Sequence, residues 1–93
     1  MRIIGNIEHP QFKVTVFRMD GRTTLKYESP LYEVSFKLGE DERFSNLEGV
    51  QKWAHSGLNE RIAAIFQQMH QLFLETQVAA FPEDGAENFD EIV

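Results

Sequence analysis

The chain reads as an α+β domain, an antiparallel β-meander of three or four strands followed by one long, kinked C-terminal α-helix. Three observations predict this. Asp20-Gly21 separates two alternating stretches, Ser29-Pro30 closes the second of them, and residues 45–80 carry helical rather than alternating periodicity.

The turn at Asp20-Gly21 is the strongest local signal, because this dipeptide suits the type I′ turn of a two-residue hairpin. Taken literally, it sets Val16 opposite Leu25, Val14 opposite Tyr27 and Lys13 opposite Glu28. Apolar then meets apolar, and the charge pair is opposite in sign. A two-residue connection at Ser29-Pro30 would place Tyr27 against Tyr32, Leu25 against Val34 and Lys26 against Glu33. The three strands agree on one apolar face: Phe12, Val14 and Val16, then Leu25 and Tyr27, then Tyr32, Val34, Phe36 and Leu38. Arg2–Ile7 is a candidate fourth strand, weakened by Gly5.

After a charged loop over 39–44, Ser45-Asn-Leu-Glu48 matches a capping box. Leu47, Val50, Trp53 and Ala54 share one side of the first helical turns. Leu58, Ile62, Ile65, Phe66, Met69, Leu72 and Phe73 form a second stripe, rotated from the first. The rotation falls at His55-Ser56-Gly57, where a kink or break is expected. Phe44, Trp53 and Phe81 read as core or staple residues. The domain is expected over 1–81, with the acidic segment 82–93 as a disordered tail.

A helix of this length would run ~54 Å, against ~25 Å for the strands, so half of it would overhang any sheet it covers. That half is the more apolar. Expected interface residues are therefore Leu58, Ile62, Ile65, Phe66, Met69, Leu72 and Phe73, burying against a second copy or a protein partner, unless the segment folds back on its own domain. Ile62, Ile65, Met69, Leu72 and Thr76 fall at heptad a and d spacing.

Net charge is −6, which argues against a simple nucleic-acid binder, yet the distribution is uneven. Residues 1–38 hold six cations and four acids; residues 39–93 hold three cations and eleven acids. The solvent face of the meander carries Lys13, Thr15, Phe17, Arg22, Thr24, Lys26 and Lys37. Single-strand binders combine a cationic track with aromatic platforms, and this face has the track with Phe17 as its one platform. The alternative function is thus single-stranded nucleic-acid binding, with the acidic tail competing. A meander followed by a long helix is also similar in layout to Whirly-type and transcription-coactivator single-strand-binding domains. That is a likeness of architecture alone.

Catalysis finds no foothold. The chain has no cysteine, no Gly-x-Ser-x-Gly elbow and no phosphate-cradling glycine loop. Neither His55 nor His70 has a carboxylate or histidine one helical turn on, so no metal and no cofactor are expected. No run approaches the ~20 apolar residues of a membrane span. The expectation is a non-enzymatic, cytoplasmic binding or assembly domain.

Overall fold

A computed structural model of the chain describes residues 1–82. Four strands, β1 (Arg2–Ile7), β2 (Lys13–Met19), β3 (Arg22–Glu28) and β4 (Glu33–Gly39), form one antiparallel sheet in the order β1-β2-β3-β4. A 3₁₀ turn (Glu42–Phe44) leads into α1 (Leu47–Trp53), a π-type turn (Ala54–Leu58) and α2 (Asn59–Ala80). The chain divides into two compact units, Met1–Glu60 and Arg61–Val93. The acidic tail lies outside the described residues beyond Pro82.

The β2–β3 hairpin has the expected register, with Lys13 opposite Glu28, Val14 opposite Tyr27 and Val16 opposite Leu25. Its turn residues Asp20 and Gly21 both take positive φ, 52° and 76°, as a type I′ turn requires. The β3–β4 register differs from the expectation by two residues. Tyr27 faces Val34, Leu25 faces Phe36, Lys26 faces Ser35, Thr24 faces Lys37, and the like-charged Glu28 and Glu33 face each other. The connection holds four residues, 29–32, because the Ser29 N–H donates to the Tyr32 carbonyl (2.8 Å) and the Tyr32 N–H donates to Ser29 Oγ (3.1 Å). A two-residue slip leaves each side chain on its expected face, since the strand period is two.

β1 is a full strand, and Gly5 explains both its irregularity and its place. The β1–β2 register shifts between Ile3 and Gly5. A Cβ at Gly5 would stand 2.5 Å from Leu47 Cδ2, so glycine lets α1 approach β1 closely.

Ile7, Val14, Val16, Leu25 and Tyr27 on the inner face are buried, together with Val50 and Ala54 from the helical region. Edge-to-face rings join the two layers: Tyr27 to Phe36 at 6.5 Å, then Phe36 to Trp53 at 5.2 Å, with Phe44 tilted against Trp53 at 5.5 Å. At the hairpin end of that face Arg18 Nη1 donates to Thr23 Oγ1 (2.7 Å), which donates to the Phe44 carbonyl (2.7 Å) and satisfies the buried Thr23.

Helix α1 is capped one residue later than the capping box implies. Asn46 Oδ1 accepts from Gly49 N–H (3.0 Å), while Ser45 Oγ turns back and donates to the Glu42 carbonyl (2.8 Å). The 3₁₀ turn diverts Ser45: its N–H already bonds Glu42 (3.2 Å), so Asn46 is the first residue with extended backbone. A Cβ at Gly49 would lie 1.8 Å from the Arg43 carbonyl oxygen, which makes glycine obligatory where the turn meets the helix. The expected kink is present. Ser56 (φ −96°, ψ 32°) and Gly57 (φ 114°, ψ −19°) leave helical geometry, and Ser56 Oγ donates to the Trp53 carbonyl (2.7 Å).

Candidate functional site

Two surfaces carry the residues singled out by the sequence. On the outer face of the sheet, alternation places Phe17 and Met19 of β2 beside Arg22, Thr24 and Lys26 of β3 and Glu33, Ser35 and Lys37 of β4. These residues, with Met1, Thr23, Gly39 and Glu40, line an open depression of about 730 Å³. Of the seven expected contacts, Phe17, Arg22, Thr24, Lys26 and Lys37 meet here. Lys13 does not; it lines a separate hollow beside the β1–β2 connection, with residues 6–10, Phe12 and Val14. Thr15 is 2% exposed, so its side chain is not offered to a ligand.

Lys26 is one of the residues lining the depression. Its Nζ stands 5.1 Å from the Phe17 ring centroid and 3.3 Å from Glu28 Oε1. The ammonium thus covers the one aromatic platform and is partly neutralised there. Met1, Ile3 and Met19 are exposed apolar side chains; Met1 and Met19 line the depression, and Ile3 pairs across the sheet with Phe17. Met1 and Met19 were not among the expected contacts. Met19 was legible, because it lies two residues beyond Phe17 on the same strand face; Met1 precedes the strand and gives no such signal.

The second surface belongs to α2. Ile62 and Phe66 are buried, at 1% and 6% exposure. Leu58, Met69 and Phe73 are half-buried, whereas Ile65 and Leu72 are exposed at 44% and 62%. Arg61, Ile65, Gln68, Leu72, Glu75 and Ala79 are all exposed and alternate by four and three, so they make one continuous outward stripe. Gln71 Nε2 donates to Glu75 Oε1 (2.9 Å) and helps orient that carboxylate. Val78 and Phe81 are also exposed, at 44% and 61%; Phe81 therefore does not act as the core or staple residue its position suggested.

Between these surfaces in sequence lies a polar latch that the sequence did not announce. Tyr27 Oη donates to Asn59 Oδ1 (2.6 Å), and His9 Nε2 lies 2.8 Å from the Asn59 carbonyl. The Gln11 N–H donates to His9 Nδ1 (3.1 Å), which assigns the proton to Nε2 and makes it the donor to Asn59. Burial pushes the Tyr27 phenol up to about 12, with the Glu60 charge adding to the shift. These groups satisfy one another, and His9 also lines the hollow beside the β1–β2 connection.

No family model matches the chain, and no curated protein or solved structure is significantly similar to it. Among the described residues no group of three or more His, Asp or Glu could hold a metal ion, and no helix is long and apolar enough to cross a membrane.

Proposed function

We propose that this protein is a non-enzymatic assembly module that pairs with a second copy of itself through the outward stripe of α2. The observation that carries this reading is the pair of exposed side chains Ile65 and Leu72, set one heptad apart and flanked on the stripe by Arg61 and Glu75.

The stripe is self-complementary in the antiparallel sense. A two-fold axis through Gln68 would set Arg61 against Glu75 of the second copy, since each lies seven residues from the axis. Ile65 and Leu72 lie three and four residues away and meet each other across it. The two Gln68 amides meet at the axis, each able to donate and accept. Such a contact is isologous and closes at two copies. A parallel pair would stack Arg61 on Arg61 and Glu75 on Glu75. An interface built on one helical stripe lies at the small end of specific contacts, so a weak, concentration-dependent dimer is expected.

A charge-reversal cycle tests the arrangement by sedimentation velocity. Arg61→Glu and Glu75→Arg should each weaken self-association, and the double variant should restore it. Failure of the double variant to recover would refute the antiparallel pairing, and a wild-type chain that stays monomeric at high concentration would refute the function.

A further inference from the structure

We infer that the depression on the outer face of the sheet is a binding site for single-stranded nucleic acid, in which a base stacks on Phe17 and phosphates are held by Arg22, Lys26 and Lys37. This site is independent of the α2 stripe.

The wall chemistry selects the ligand class. Arg22, Lys26 and Lys37 line it with the acids Glu33 and Glu40, and Glu28 pairs with Lys26 at 3.3 Å, so cations are gathered here in a chain of net charge −6. Cations gathered on one face of an acidic protein mark where an anion is accommodated. The apolar part of the wall is a ring with flexible thioethers beside it: Phe17, Met1 and Met19. A flat aromatic platform flanked by cations matches a base attached to phosphates, because every base has a π-face and stacking tolerates any sequence. Thr24 and Ser35 add hydroxyls that both donate and accept, suited to base edges or sugar. An acidic peptide would use the cations and leave the platform empty, and a duplex would present no unstacked base.

Lys26 supplies the exchange that makes entry possible. Without ligand its ammonium sits over the Phe17 ring and against Glu28. Such partly exposed ion pairs hold weakly. A base arriving on the ring displaces the ammonium, which then meets the phosphate that accompanies the base. Glu28 competes for the same ammonium throughout, and Glu28 also faces Glu33 across the β3–β4 pair. Its carboxylate therefore sets how readily Lys26 is released.

The test is fluorescence anisotropy of a labelled thymidine oligomer with the full chain at two salt concentrations. Three phosphate contacts on a single strand give a salt slope of about −2, so affinity should fall about 20-fold from 50 to 200 mM salt. Lys37→Gln removes one contact and should reduce that fall to about 7-fold. Phe17→Ala should weaken binding roughly 5- to 150-fold at both salts while leaving the slope unchanged. Glu28→Gln should tighten binding, an effect that mere loss of fold would not produce. Leu72→Asp should bind as wild type, which separates this site from self-association. No binding, binding that survives both Phe17→Ala and Lys37→Gln, or equal affinity for a duplex or a polyglutamate peptide would each overturn the assignment.

Discussion

Leu72→Asp is the sharpest perturbation of the proposed assembly. Leu72 is 62% exposed, so replacing it removes little that the single chain buries. Monomer stability should change by no more than about 0.5 kcal/mol, the usual range for surface substitutions. The dimer would respond differently. Full burial of a leucine is worth about 1.5–3 kcal/mol, and the exposed share of Leu72 corresponds to about 1–2 kcal/mol for each copy. A two-fold interface counts it twice, giving about 2–4 kcal/mol, or about 30- to 1,000-fold in Kd. The buried aspartate adds a desolvation cost in the same direction. Sedimentation equilibrium over a wide concentration range reads the Kd, and circular dichroism melts check the monomer. An unchanged Kd with an unchanged melt would refute the stripe as the interface. A large loss of melting temperature at concentrations where the wild type is monomeric would show that Leu72 stabilises the single chain instead.

Three further predictions concern the scaffold. Gly49→Ala should destabilise the fold by several kcal/mol or prevent it from forming, because the new Cβ meets a backbone carbonyl at 1.8 Å; urea denaturation measures this. Asn46→Ala should cost about 1 kcal/mol while Ser45→Ala costs less, since Asn46 makes the cap; the reverse order would restore the capping box as the working motif. Tyr27→Phe should cost about 1–3 kcal/mol by leaving Asn59 Oδ1 without its donor. The same phenol makes stability depend on alkaline pH. Its folded pKa, about 12, lies above the ordinary value of 10.0, so its contribution is full below pH 10 and is lost as pH rises towards 12. Tyr27→Phe should flatten that part of the stability profile, and a profile of unchanged slope would contradict the buried, protonated phenol.

Legibility in the sequence followed the range of the interactions involved. The β2–β3 register could be read from Asp20-Gly21 because a two-residue turn and its flanking pairs are local. The β3–β4 register could not, because the Ser29 side chain closes a four-residue loop that Pro30 alone does not specify. The break at Gly57 was readable from the change in apolar phase, whereas the shift of the cap to Asn46 depends on the preceding 3₁₀ turn taking Ser45. Among the candidate contacts, strand alternation brought five of seven outer-face residues together. Helical periodicity placed Ile62 and Phe66 among the expected interface residues, but periodicity carries no information about which members are buried. The Tyr27–Asn59 and His9–Asn59 bonds join residues 32 and 50 positions apart, and no local pattern encodes them.

The strictly sequential strand order has a kinetic consequence. Each strand pairs only with its neighbours in the chain, so the sheet forms by successive short closures, and no strand must wait for a distant one. Topologies of this kind fold rapidly. The longest hydrogen-bonded links in the first unit bring Asn59 to Tyr27 and His9, which needs the sheet that holds those two residues. Stopped-flow chevrons should therefore show Asn59→Ala accelerating unfolding while barely slowing folding, and substitutions in the β2–β3 hairpin doing the opposite.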